Sequence, residues 1–206
     1  MANKLHKPVL PGILFILLVQ TLLLVAMIAS RQMILSSDTV VILQTKPIDP
    51  RSLFRGDYVR LNYDINELQL DELSGDRTFK TNDTVYVVLQ QSGKYWDARA
   101  IYLEKNNALN SYEKQKNERQ VVIQGVVQRV TNRQWNRIDK ADTSVTSLRV
   151  NYGIENYFVP EGEGLKLERP ETNDKITLKI ALDDDGHAVI KELLLNGIQQ
   201  YEEALF

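Results

Sequence analysis

The chain has 206 residues, 43% of them hydrophobic and 25% charged, which is the balance of a folded protein rather than a disordered one. A net charge of −2 and a pI near 5.8 supply no basic field for nucleic acid. The absence of cysteine removes disulfides, thiolate catalysis, iron–sulfur clusters and cysteine zinc sites together.

Residues 1–8 form a short tail carrying Lys4, His6 and Lys7. "VLPGILFILLVQTLLLVAMIAS" (Val9 to Ser30) follows without a charge and with only scattered polar groups such as Gln20 and Thr21. At ~1.5 Å per residue it reaches ~33 Å, enough to cross a hydrocarbon core of ~30 Å. Lys4 and Lys7 before it, against a single Arg31 just after, place the N-terminus in the cytoplasm and the bulk of the chain outside. The run is longer than the apolar core of a cleaved signal peptide. A cut after Ala29 or Ser30 would also set Met27 or Ile28 where a small residue is needed. No polar face interrupts the run, as one would in the core helix of a soluble protein. Residues 9–30 therefore read as an uncleaved transmembrane helix whose partner is the lipid bilayer.

From Asp38 onward the hydrophobic period becomes two. "DYVRLNYDI" puts Val59, Leu61, Tyr63 and Ile65 on one face, with Tyr58, Arg60, Asn62 and Asp64 on the other. "SLRVNYGIENYF" does the same with Leu148, Val150, Tyr152 and Ile154, and VRLNYDINEL aligns with LRVNYGIENY at an offset of 89 residues (152 minus 63). Each such strand is preceded by a Val-rich one, "VVILQTKPID" or "VVIQGVVQRV". Each is followed by a strand, a Gly-containing turn and a strand, within Val85 to Glu104 and Ile176 to Leu195. The fold class expected is mainly β: two repeated antiparallel subdomains, 38–105 and 120–206, joined by a polar linker at 106–119. "NELQLDELSG" (Asn66 to Gly75) reads as a short helix with Leu68 and Leu73 inward.

The approach to the first tyrosine strand is "DPRSLFRGDY". Gly56 can take φ > 0 and Asp57 can hydrogen-bond nearby amides, so the pair turns the chain into the strand at Tyr58. The tripeptide Arg55 to Asp57 spells an adhesion signal by chance, with nothing else to support it. GDYVRLNY (Gly56 to Tyr63) resembles the signature of the GDYXXLXY family of bacterial membrane-anchored proteins, with Gly56, Asp57, Tyr58, Leu61 and Tyr63 all matching. "YGIENYFVPEGEGLKLE" (Tyr152 to Glu168) is similar to a further segment of that family, which brings Tyr152 and Gly153 into the motif set. The resemblance implies an extracytoplasmic domain held to the bacterial inner membrane by one helix, often encoded beside a polytopic membrane protein. It implies no particular activity.

The chemistry on offer is thin. Bacterial signal peptidases share an anchor and a Gly-Asp-aromatic turn, but Ser52 sits too near that turn and Lys46 is the only upstream lysine close to it. "DDDGHAVIKE" (Asp183 to Glu192) copies part of a calcium loop but has Ala181 where the first oxygen ligand belongs, and an Asp-Gly hairpin accounts for it. The loop "VPEGEG" projects Glu161 and Glu163 beside Pro160 and Gly162, two carboxylates suited to partner contact or acid–base work. Arg55 and Arg60 are further candidate contacts. His6 and His187 form neither a triad nor a zinc site. No catalytic residue, metal or cofactor is expected. The function expected is a non-catalytic accessory or interaction module for an integral membrane protein. The alternatives are an envelope hydrolase or peptidase using Glu161 and Glu163, or a sensor with a pocket between the halves.

Overall fold

The computed structural model describes residues 9–46, 58–113, 119–132, 145–158 and 176–202. Helix α1 (Val9–Leu35) is apolar on every side, and none of its most apolar window is buried against the rest of the chain. By length and composition it is sufficient to cross a membrane. It continues past Ser30, the expected end of the span, because Arg31 and Gln32 favour helix and nothing breaks it before Ser36. There both the Ser36 amide and the Ser36 hydroxyl donate back to the Gln32 carbonyl, at 3.0 and 2.7 Å, closing the last turn. Leu35 is buried, and the Ser37 hydroxyl donates to the Leu182 carbonyl at 2.5 Å, so the helix is tied directly to the β region.

Among the described residues twelve strands follow, in three sheets. β1 (Val40–Gln44), β10 (Ile176–Leu182), β11 (Ala188–Leu195) and β12 (Ile198–Glu202) form an antiparallel sheet in that order. The larger sheet runs β3 (Glu67–Gln69), β8 (Val145–Asn151), β7 (Gln120–Asn132), β5 (Thr84–Ser92), β6 (Tyr95–Tyr102), β4 (Ser74–Gly75). β2 (Tyr58–Arg60) pairs with β9 (Asn156–Phe158). Among the described strands all pairings are antiparallel except the two-residue contact of β4 with β6.

One core lies between the two large sheets. Val41 and Leu43 of β1 and Leu178, Ile180 and Leu182 of β10 meet Val85, Val87 and Leu89 of β5, Ile123 of β7 and Leu148 and Val150 of β8. Period-two alternation puts these side chains on one face. Outward-facing Val88 and Ala100 instead pack on Ala108 of helix α2 (Lys105–Glu113), which explains why β5 reads as a continuous apolar run: both its faces are covered.

Three expectations need correction. The expected linker 106–119 begins as the docked helix α2, held there by Ala108. Asn66 to Gly75 is not a helix: Asp64–Asn66 makes one 3₁₀ turn, and Leu68 is buried as a strand residue opposite Leu148. The two halves are not separate bodies. β1 pairs with β10, β2 with β9, β3 with β8 and β5 with β7, so both halves contribute to every sheet and share the core.

Candidate functional site

The motif tyrosine Tyr63 is the largest wholly buried side chain among the described residues and lies at the centre of this exchange. Alternation turns Leu61, Tyr63 and Ile65 inward in the first half and Val150, Tyr152 and Ile154 inward in the second, and all six are buried. Gly125 makes room for the second tyrosine: a Cβ there would stand 2.5 Å from Val150 Cγ1 and 3.0 Å from Tyr152 Cδ1. After each tyrosine the chain turns, through the 3₁₀ turn at Asp64 in one half and through Gly153 at φ +80° in the other.

The two tyrosines then bond reciprocally. Tyr63 Oη donates to the Ile154 carbonyl at 2.8 Å, and Tyr152 Oη donates to the Ile65 carbonyl, also at 2.8 Å. The residue three positions after each tyrosine accepts from its amide: Asn66 Oδ1 from Tyr63 N at 2.6 Å, and Glu155 Oε1 from Tyr152 N at 2.7 Å. Asn66 Nδ2 bridges the halves by donating to Glu155 Oε1 at 2.9 Å and to the Val150 carbonyl at 2.8 Å. Leu61 N, the counterpart of Val150, donates to the Glu155 carbonyl at 2.8 Å.

The offset of 89 found in the sequence thus recurs in space, with contact i to j matched by j to i, as around a twofold axis. The ladders obey it too. Tyr58 opposite Phe158 and Arg60 opposite Asn156 correspond to Ser147 opposite Gln69 and Arg149 opposite Glu67. The last of these pairs is also an ion pair at 3.0 Å, largely exposed and so of little weight.

Burial first, and the Glu155 carboxylate second, hold the Tyr63 and Tyr152 phenols well above the ordinary tyrosine range. Neither is a base or nucleophile near neutral pH. Both are structural hydrogen-bond donors.

Of the other sequence-derived candidates, Leu61 is in the core beside Tyr63, Arg60 is exposed on β2, and the backbone of Tyr58 begins β2. Arg55, Gly56 and Asp57, with Pro160, Glu161, Gly162 and Glu163, lie outside the described residues. Asn66 and Glu155 were not singled out from the sequence. The signal was there, in the aligned segments NYDIN and NYGIE, where both place a side-chain acceptor three residues after the tyrosine.

A cleft flanks each tyrosine. One of about 120 Å³ is lined by Tyr63, Asp64, Tyr95, Trp96 and Asp97 at the tip of the β5–β6 hairpin. The other, about 550 Å³, is lined by Gln124, Asn151, Tyr152, Gly153 and His187 at the tip of the β10–β11 hairpin. The same scaffold thus presents an acidic, aromatic face on one side and, on the other, a mostly apolar face that also carries carboxamides. Within the second hairpin turn, ligand-capable atoms of Asp183, Asp185 and His187 lie within 4.8 Å of one another. Their bonds already build the turn. Asp183 accepts from the amides of Asp185 and His187 and contacts the His187 ring at 2.9 Å. Asp185 meets Lys105 Nζ at 2.7 Å, which lowers the Asp185 carboxyl from its usual value and raises the Lys105 ammonium.

A single apolar helix leading into an internally twofold β region, closed at its centre by two motif tyrosines, defines a class of protein by architecture rather than by chemistry. The chain belongs to the GDYXXLXY family: the family model, described as GDYXXLXY protein, matches residues 20–193. That span takes in the second half of the helix, both tyrosines, β10 and most of β11. No curated protein and no solved structure matches the chain.

Proposed function

We propose that the chain is a membrane-anchored, non-catalytic accessory module, with α1 spanning the bacterial cytoplasmic membrane and the β region outside it serving an integral membrane protein. The observation that carries this reading is the junction: an apolar helix, unburied along its most apolar stretch, passes into β1 through only Ser36 to Thr39, pinned by Ser37 to Leu182. So tight a link holds the β region against the membrane surface, where it meets other membrane proteins rather than soluble ones. Lys4 and Lys7 favour a cytoplasmic N-terminus. The closed tyrosine pair supports a structural use of the motif, because both hydroxyls are spent on buried carbonyls.

The test has two arms. Protease added outside sealed spheroplasts should digest the β region while sparing an N-terminal tag, and protection until lysis would reverse the orientation. Crosslinking from the β region in intact membranes should capture a specific integral membrane protein. Failure to capture one, together with binding of a soluble metabolite that raises the melting temperature, would replace the accessory reading with a sensor.

A further inference from the structure

Between Val9 and Ser30, helix α1 carries polar side chains at Gln20, Thr21 and Ser30. The Thr21 hydroxyl donates to the Leu17 carbonyl at 2.8 Å and that of Ser30 to the Met27 carbonyl at 2.9 Å, so the helix satisfies both by itself. The Gln20 carboxamide has no partner among the described residues. It stands at the midpoint of the span, ~15 Å from either end by helix rise, too far for the side chain to reach a headgroup. In hydrocarbon such a group must find a partner on another helix.

The neighbours of Gln20 supply a seam for that helix. Ile13, Ile16, Gln20, Leu23 and Met27 recur at alternating spacings of three and four, the a and d positions of a heptad, and all are exposed. The opposite face carries Leu18, Leu22, Val25 and Ala29 through the span and meets a polar group only at Gln32, past Ser30. A lone carboxamide at one a position is a device that fixes register and the number of helices.

We infer that α1 pairs in parallel with α1 of a second copy of this chain, the two Gln20 carboxamides hydrogen-bonding to each other at the bilayer midplane. A carboxamide is both donor and acceptor, so two related by a twofold axis satisfy one another. Copies inserted in the same sense bring the two groups to the same depth without further specification. A helix of a different protein would need its own polar group at that level. The inference rests on α1 being a membrane anchor, and it adds that the accessory module presents itself to its partner as a pair.

The cysteine-free sequence allows a direct test on the full chain in native membranes. Single Ile16→Cys and Leu23→Cys variants should form disulfide-linked dimers on mild oxidation, whereas Leu18→Cys and Leu22→Cys should not. Adding Gln20→Leu should lower the dimer fraction at the seam about threefold or more, and Gln20→Asn should preserve it. Dimers formed evenly around the helix, dimers indifferent to Gln20→Leu, or a photoreactive residue at position 20 that captures another protein instead would each overturn the pairing. Alkaline carbonate separates the two layers of the inference. A chain retained in the membrane yet monomeric sinks only the pairing, while a chain released from it sinks the anchor and the pairing together.

Discussion

Removing the Tyr63 hydroxyl would leave the Ile154 carbonyl buried without its donor, and removing that of Tyr152 would do the same to Ile65. Tyr63→Phe and Tyr152→Phe should therefore each cost about 1–3 kcal/mol, by similar amounts despite their distance in sequence. Half-buried Tyr95, outside the pair, should change by less than about 0.5 kcal/mol as Phe. Denaturant midpoints would decide, and a silent Tyr63→Phe would show that the motif position matters for its ring alone. Asn66 is the more demanding site because it donates to Val150 and Glu155 while accepting from Tyr63. Asn66→Leu leaves those groups without their Asn66 partner and should cost about 2–4 kcal/mol by the same measurement. The phenols also set an alkaline limit. Their folded pKa values are raised, whereas the unfolded chain releases these protons near the ordinary value of about 10. Stability is thus complete below about pH 10 and falls as pH rises through the folded values, because the unfolded state then binds fewer protons. Midpoints followed from about pH 8 to about pH 12 should show that fall, less steep in either Phe variant.

Elements differ in how far the sequence reveals them. The apolar run of α1 and the alternation of β8 and β10 are local periodicities, legible because a buried face repeats every second residue in a strand and never in that helix. Asn66 to Gly75 misleads because Gly75 offers a helix stop, although Leu68 and Leu73, five apart, share no helix face, and the contact that decides, Leu68 opposite Leu148, is made by a strand far away in sequence. Local pattern identifies the buried residues and leaves open which backbone presents them. α2 is hidden for the opposite reason: among its described side chains, 105–111, Ala108 is the one buried, too little for an amphipathic signal. Glycines test the element scale well. Gly125 sits in the middle of β7, where a strand ordinarily wants a side chain, and its reason is Val150 at 2.5 Å from the missing Cβ. Gly125→Ala should push the second tyrosine strand outward and lower stability by about 1–3 kcal/mol. Gly93→Ala, with open space around it but φ +61°, should cost only its backbone strain, about 1–2 kcal/mol. Melting of the two variants side by side separates crowding from strain, and a Gly125→Ala protein with unchanged stability would mean the strands are less closely held than 2.5 Å requires.

At the scale of the whole molecule the repeat was visible and the exchange was not. Alternation fixes which face of a strand is buried, but any strand with a matching face is an acceptable neighbour. Two repeats read from sequence therefore look like two small domains. Here β1 finds its hairpin in the second half, in β10 and β11, and β7 finds its hairpin in the first, in β5 and β6. The two hairpins even share a one-residue register shift, at Val88/Leu89 and at Lys179/Ile180. Each half alone would keep its hairpin and lose the strand that covers its inner edge. It would also lose the acceptor for its tyrosine and the opposite wall of the core. The chain cut between α2 and β7 should accordingly give two fragments without cooperative unfolding, and an equimolar mixture should recover the melting transition of the intact protein. Were either fragment to melt cooperatively by itself, the halves would be autonomous and the reciprocal bonds of Tyr63 and Tyr152 a contact between finished domains. The intertwined arrangement predicts otherwise: apolar burial divided between halves outweighs the ordering entropy only when both are present.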